Sequence, residues 1–265
     1  MRPRLFRFCA AVFTVAGFLA LAPQASADLL TLNFQGQTAN PGNPTVGFTL
    51  NGQSYSNFAV GPFYWSQNSV PPNSNFPPPI ATFCIEINLS KPLPPIGTNT
   101  TFQTMSLNQA PTIGNNPTEI ADIEQLYGLY YQTAWANQNT FTGSVNSVAF
   151  QLALWKLVYD GGSNLNLSTG NFQAANLGVY STTAQNMLNS LNGNTSSFNS
   201  RFAGDQLVAL VTPASGAKTT DEVQDQIILQ PSTVPAPPAV MLAGVGVLAL
   251  LGRVRWNRRK SHAVA

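Results

Sequence analysis

Residues 144–159 read SVNSVAFQLALWKLVY, and this stretch decides how the chain folds. Its hydrophobic residues recur at spacings of three and four, which predicts a helix that is apolar around most of its circumference. The Asp-Gly-Gly sequence at 160–162 is typical of a helix C-terminus. A helix of this kind is buried, yet Gln151 lies in its middle. Because an unpaired buried amide costs about 2 kcal/mol or more, Gln151 must have a specific partner.

The sequence on both sides of this helix predicts a mixed α+β fold. Further helices are predicted at Thr118–Trp135 and Ser181–Leu191. Period-2 alternation and β-branched or aromatic residues predict strands at Leu29–Phe34, Val46–Leu50, Ser54–Val60, Ile80–Leu89, Gln206–Thr212 and Gln224–Leu229. The proline-rich segments Ser69–Pro79 and Lys91–Gly97 are predicted to be loops or edges. The order is therefore a strand-rich N-terminal part with proline-rich loops, a helical middle and C-terminal strands.

The composition of the middle of the chain excludes several classes of function. Residues 28–252 hold four basic against ten acidic residues, a net charge of −6, which argues against a nucleic-acid partner. The same residues contain no histidine and a single cysteine, Cys84. An internal disulfide, a catalytic unit that needs histidine and a Cys/His zinc site are therefore excluded. We expect neither a cofactor nor a metal.

Residues 1–27 have the pattern of a secretory signal peptide. A basic start is followed by an apolar run and by the small-residue sequence Ala-Ser-Ala at 25–27. This pattern predicts that signal peptidase cleaves between Ala27 and Asp28. The alternative is a retained membrane anchor, although the apolar run is short for a span.

Residues 233–265 resemble the PEP-CTERM sorting tail of Gram-negative bacteria. The motif Val234-Pro235-Ala236-Pro237 precedes an apolar stretch at 239–252 and a basic cluster at 253–260. The resemblance implies processing by an exosortase after transient anchoring in the inner membrane, with Ala236 in place of the family's glutamate. The alternative is an ordinary C-terminal anchor. Either way, the domain at 28–232 is expected to lie outside the inner membrane, at the cell surface or in the extracellular matrix.

Cys84 and Gln151 are the residues to which we assign chemistry. In the predicted strand Ile80–Leu89, Cys84 and Glu86 share one face. A thiol held against a glutamine carboxamide can displace ammonia and leave an internal thioester, which needs proximity and no cofactor. The flanking aromatic residues Phe83 and Trp155 are candidates for shielding that bond from water.

The sequences around both residues resemble the signature blocks of bacterial thioester domains. Phe83-Cys84-Ile85 matches the first block, and Phe150-Gln151 with Leu154-Trp155 matches the second. The resemblance implies a surface adhesin that captures target amines covalently. It makes Cys84 the thioester sulfur, Gln151 the acyl donor and Trp155 a packing residue beside the bond.

Other interpretations of the same residues remain open at this stage. Glu86 could orient the incoming amine or accept its proton. Cys84 could instead be an inert core residue, with Gln151 bonded to a loop carbonyl. The protein would then be a non-covalent structural component of an extracellular polysaccharide or biofilm matrix. A hydrolase is a third and weaker possibility, since no carboxylate spacing recommends a catalytic pair, and we expect that the protein is not an enzyme.

Overall fold

A computed structural model describes residues 29–37, 45–67, 80–87, 93–136, 145–213 and 223–231. The predicted signal peptide at 1–27, the cleavage site and the predicted sorting tail at 233–265 lie outside these ranges. Within them, no helix combines the length and the apolar character that crossing a membrane requires.

The described chain contains both strands and helices, so the prediction of a mixed α+β class is confirmed. Six strands come first: β1 Leu29–Gln37, β2 Thr45–Leu50, β3 Gln53–Ala59, β4 Phe63–Ser66, β5 Ile80–Cys84 and β6 Asn99–Ser106. The middle holds α1 Pro117–Tyr130, α2 Val145–Asp160, β7 Phe172–Gln173, α3 Val179–Asn189 and α4 Ser196–Arg201. The last elements are β8 Gln206–Val211 and β9 Gln226–Gln230.

Six of the strands close into an antiparallel barrel in the order β1-β4-β5-β9-β8-β6. The C-terminal strands β8 and β9 thus fill the gap between β5 and β6, which belong to the N-terminal half. Closure brings residues near 84 against residues near 226, since Cys84 pairs with Gln226. The barrel thereby places the lone cysteine of the middle of the chain beside the start of β9.

The remaining strands form a small sheet in the order β3-β2-β7. Strands β2 and β3 are joined by Asn51-Gly52, both with positive φ (51° and 79°), as a two-residue hairpin turn requires. Strand β7 pairs with β2 through Thr49–Gln173 and Leu50–Phe172.

Several elements of the fold differ from the sequence expectations. The predicted strand Ile80–Leu89 ends at Cys84, because its pairing with β9 ends there. The predicted helix Thr118–Trp135 ends at Tyr130, and a separate 3₁₀ turn at Thr133–Ala136 places Trp135 in the core. Strands β4 and β6 and the short helix α4 were not predicted. All three aromatic residues of β4 are buried, so it lacks the alternation that signals a strand.

Helix α2 is buried along most of its length, as its sequence predicts. It ends where expected, with Gly161 and Gly162 at positive φ (64° and 70°). Its Lys156 is fully buried and forms an ion pair of 2.8 Å with Asp160, one turn later. The ammonium also donates to the main-chain oxygen of Phe172 at 3.1 Å. A buried charge is tolerated only when paired and hydrogen-bonded in this way, and the pairing ties β7 to α2.

Helix α1 contains a buried carboxyl group, that of Glu119, which has no cationic partner among the described residues. Glu119 is 3% exposed and accepts a hydrogen bond from the main-chain N–H of Gly114. Its Oε1 atom has no hydrogen-bond partner in the described part of the chain. Burial raises the pKa of Glu119 from 4.5 to about 7, against the opposing effect of the Gly114 bond. Folding therefore favours the protonated acid.

The raised pKa predicts how stability depends on pH. The folded protein binds the Glu119 proton more tightly than the unfolded chain, so the free energy of unfolding falls as pH rises from about 4.5 to 7. A shift of this size corresponds to about 3 kcal/mol at most. Glu119→Gln, which removes the titration, should flatten the fall measured by urea unfolding between pH 4.5 and 8. Glu124→Gln, at a half-buried position of the same helix, should flatten it less; equal profiles for the wild type and Glu119→Gln would contradict this account.

Candidate functional site

The candidate site lies where the end of strand β5 meets the middle of helix α2. The Gln151 carboxamide forms two hydrogen bonds with the main chain of Cys84. Its Oε1 accepts from the Cys84 N–H at 3.0 Å, and its Nε2 donates to the Cys84 carbonyl at 2.7 Å. Both residues are almost completely buried. This is the partner that the burial of Gln151 requires.

The position of Gln151 follows from the register of the barrel. Strands β4 and β5 pair from Trp65–Ile80 to Phe63–Thr82, and β4 begins at Phe63. On the other side of β5, the Ile85 N–H donates to the Asp225 carbonyl, so the polar groups of Cys84 point toward the β4 side. Among the described residues, no strand residue pairs with Cys84 on that side, and the carboxamide of Gln151 takes the place of one.

The Cys84 sulfur is directed away from these main-chain bonds, because a strand side chain stands roughly perpendicular to the ladder. The thiol donates toward the main-chain oxygen of Glu86 at 2.7 Å and toward Oε1 of Gln224 at 3.2 Å. Gln224 is 6% exposed and lies two residues before β9. A second glutamine carboxamide is therefore in contact with the sulfur itself.

Burial raises the pKa of the Cys84 thiol far above its ordinary value. The indole N–H of Trp155 acts in the opposite direction, because a donor beside the sulfur favours the thiolate. No oxygen or nitrogen acceptor among the described residues meets that indole N–H, so the sulfur is the group it faces. The resting state is a neutral thiol, with Trp155 placed to favour the thiolate.

The two aromatic residues predicted to shield the site occupy different places. Trp155 is beside the sulfur and packs against Phe48, Phe58 and Phe172, with ring centroids 5.7 to 5.9 Å apart. Phe83 belongs to a separate cluster, with Tyr131, Trp135 and Phe150 around it. Adjacent strand residues point to opposite faces, so Phe83 closes the core behind the strand, and Trp155 is the residue that covers the thiol.

The polar groups on the open side of the site are Glu86, Tyr159 and Asp225. Oε2 of Glu86 accepts from the Asp225 N–H at 3.2 Å. The Tyr159 hydroxyl, two turns after Gln151 on α2, accepts from the Ile87 N–H at 2.5 Å. Burial raises the pKa of Tyr159, and the nearby Cys84, Glu86 and Asp225 add to the effect. The candidate proton acceptor Glu86 is thus near the thiol and half-buried.

This arrangement can support acyl chemistry without a cofactor. A sulfur nucleophile touches one carboxamide, and a second carboxamide fixes the strand that carries the sulfur. Within the described residues, no group of three or more His, Cys, Asp or Glu side chains is placed to hold a metal ion. Sequence reasoning missed Gln224 and Tyr159. Nothing in the local pattern distinguishes Gln224 from Gln226 or Gln230, because only barrel closure brings it to the thiol.

Comparisons with known proteins give one weak structural likeness. No family model matches the chain, and no curated protein matches it. The structure is similar to the N-terminal domain of the Streptococcus pyogenes pilus tip adhesin Cpa, with a TM-score of 0.40 and 13% sequence identity. The match covers 75% of this chain and 99% of that one. A likeness at this TM-score establishes neither fold nor function.

The pairing of Gln151 with the strand predicts a large loss of stability in Gln151→Ala. The substitution leaves the Cys84 N–H and carbonyl buried without partners, which should lower the free energy of unfolding by about 3 kcal/mol. Chemical denaturation followed by tryptophan fluorescence measures this loss. Gln132→Ala, at an exposed glutamine, is the control and should change stability by less than about 0.5 kcal/mol. Equal effects of the two substitutions would show that the pairing contributes nothing.

Proposed function

We propose that Cys84 forms an internal thioester and that the protein uses it to attach covalently to amine-bearing targets. The sulfur attacks the side-chain carbonyl carbon of a glutamine, the S–H bond breaks and an S–C bond forms. The carboxamide nitrogen leaves as ammonia with the thiol proton. An incoming primary amine then attacks the same carbonyl carbon, which gives a stable amide at the glutamine and returns the thiol. Each molecule reacts once, so the protein is consumed rather than turned over.

The observation that carries the proposal is the 3.2 Å contact between the Cys84 sulfur and Oε1 of Gln224. It favours Gln224 as the acyl donor, because the reacting groups already touch in a buried setting. Both polar atoms of the Gln151 carboxamide are hydrogen-bonded to the Cys84 main chain. The Cys84 sulfur points away from these bonds. The sequence prediction that Gln151 is the donor stays a prediction, and the experiment below separates the two.

Burial of the site supports a thioester that persists until an amine arrives. Cys84 is 1% exposed and the covering Trp155 is 2% exposed. Water is thereby kept from the reactive carbonyl. Once the thioester has formed, the sulfur no longer titrates, so the cost of ionising a buried thiol no longer applies. Glu86 is the candidate group to accept the proton of the attacking amine, since it is half-buried and its charge acts on the Cys84 thiol.

The sequence supports an extracellular setting for this chemistry. We propose export through the signal peptide, with cleavage after Ala27, and sorting by an exosortase that recognises the tail motif at 234–237. The tail would anchor the chain transiently in the inner membrane. The amine-bearing target would then be a neighbouring cell surface or a matrix polymer. The rival function, a non-covalent component of an extracellular polysaccharide matrix, requires only that Cys84 stays unmodified.

Intact mass spectrometry of the purified chain tests the thioester. The wild type should be one ammonia lighter than its sequence. Methylamine should add to it once and leave the chain heavier than its sequence by one CH2 group, the difference between methylamine and ammonia. Peptide mapping should place the methylamide on Gln224. A methylamide on Gln151 would restore the sequence prediction, and full mass with a free thiol would refute the thioester altogether.

Matched variants identify the partners of the bond. Cys84→Ala and Gln224→Ala should both show full sequence mass, because either change removes one side of the thioester. Gln230→Ala, at a partly exposed glutamine on β9, should keep the deficit. If Gln224→Ala keeps the deficit while Cys84→Ala loses it, then Gln224 is not the donor.

Trp155→Phe separates the covering role of this residue from the effect of its N–H. Phenylalanine keeps an aromatic ring beside Phe48, Phe58 and Phe172, but it lacks the N–H that lowers the Cys84 pKa. The thiolate fraction falls about tenfold for each unit by which the pKa rises. Thioester formation after refolding, followed as the growth of the mass deficit, should therefore slow by about that factor. An unchanged rate would show that the indole N–H does not assist the sulfur.

A further inference from the structure

The outer face of the three-stranded sheet carries a groove that the thioester chemistry does not use. The groove lies between the sheet and the segment that follows β7, with a cavity volume of about 560 Å³. This is within the size range of small-molecule sites, about 300 to 1,000 Å³. Its polar lining residues are Thr49, Ser54, Tyr55, Ser168, Gln173 and Asn176.

Three of these side chains form one row across the sheet. Thr49 on β2 is the register partner of Ser54 on β3 and of Gln173 on β7. Directly paired residues share a face and have Cβ atoms about 4.5–5.5 Å apart. The row therefore presents a hydroxyl, a hydroxyl and a carboxamide at regular spacing. The neighbouring residues Phe48 and Phe172 are buried and point to the inner face.

The side chains of the row offer uncharged hydrogen bonding. None of the described residues that line the groove is acidic or basic. A charged ligand would find no counter-ion there, and a purely apolar ligand would cover the hydroxyl groups of Thr49 and Ser54 without bonding to them. Hydroxyl and carboxamide side chains instead complement a ligand that is itself neutral and rich in hydroxyl groups.

We propose that this groove is a non-covalent binding site for a neutral carbohydrate chain. The row Thr49–Ser54–Gln173 would bond to the sugar hydroxyls, and Asn176 would border the bound chain. Asn176 is exposed and forms no hydrogen bond within the described part of the protein, so its carboxamide is available to a ligand. The proposal does not depend on the thioester, because the groove and the thiol lie on opposite sides of the sheet and of Trp155.

The sheet that carries the row is held rigidly, as a binding site requires. The buried Lys156–Asp160 pair anchors β7, because Asp160 also accepts from the main-chain N–H groups of Asn171 and Phe172 at 2.7 and 3.1 Å. On the inner face, Phe48 and Phe172 pack against Trp155. A bound carbohydrate would thus lie on the same sheet that covers the thiol, which would bring amines on a matrix polymer near the reactive site.

Isothermal titration of the full chain in mild detergent tests the proposal. The probes are cellohexaose, maltohexaose and the N-acetylglucosamine hexamer, with an oligogalacturonate as the acidic comparison. At least one neutral hexamer should bind the wild type, and binding should weaken roughly five- to tenfold in Asn176→Ala and in Ser54→Ala as single hydrogen bonds are lost. Asn186→Ala, a carboxamide that lines the separate cavity beside Arg201, is the control and should bind as the wild type does.

Each other outcome overturns the proposal. The groove is not a carbohydrate site if no neutral hexamer binds, if only the acidic oligomer binds, or if Asn186→Ala weakens binding as much as Asn176→Ala. Cys84→Ala should bind sugar with wild-type affinity. Loss of binding in folded Cys84→Ala would place the sugar at the thiol instead. Since thioester formation is measured by mass, failure of one function is distinguishable from failure of the other.

Discussion

The two hydrogen bonds between the Gln151 carboxamide and the Cys84 main chain are the contact on which the rest of the site depends. They join helix α2 to strand β5 at a point where no described strand residue pairs with Cys84 on the β4 side. Hydrophobic packing alone is non-directional, so it would leave the helix free to slide along the strand. A buried, reciprocal pair of hydrogen bonds fixes one register. The direction of the Cys84 side chain, and therefore the choice of Gln224 as its neighbour, follows from that register.

The sequence predicts part of this contact for a clear reason. Helix α2 is so apolar that its burial, and the need of Gln151 for a partner, follow from residues 144–159 alone. The identity of that partner does not follow from these residues, because it depends on the point at which the pairing between β4 and β5 stops. That register is set by pairing between distant strands. The same limit applies to Gln224, which lies 140 residues from Cys84 along the chain and reaches it only because β9 closes the barrel.

Low charge shapes the whole described body and explains why its few charges are placed so specifically. Lys156 is fully buried, and its ammonium is satisfied by Asp160 and by main-chain carbonyls. That cluster attaches the small sheet to α2. Glu119 has no such partner, so folding favours its protonated form. With charges few, shape and uncharged hydrogen bonding determine recognition, and the groove on the outer sheet face has that character.

The proposed thioester would have conflicting requirements, which concern the exposure of the residues around Cys84. Trp155 and Gln224 are almost inaccessible to solvent and protect the sulfur from water. Glu86 and Tyr159 are only half-buried, so that side of the site is the one that solvent reaches. Under the proposed function, an amine that entered there would meet a carboxylate and a phenol before the carbonyl carbon. Glu86 would attract a cationic amine, which would have to lose a proton close to the bond it attacks. The residues that keep water from the sulfur and the residues that border the solvent-accessible side are therefore on different sides of the site, because different elements of the fold supply them.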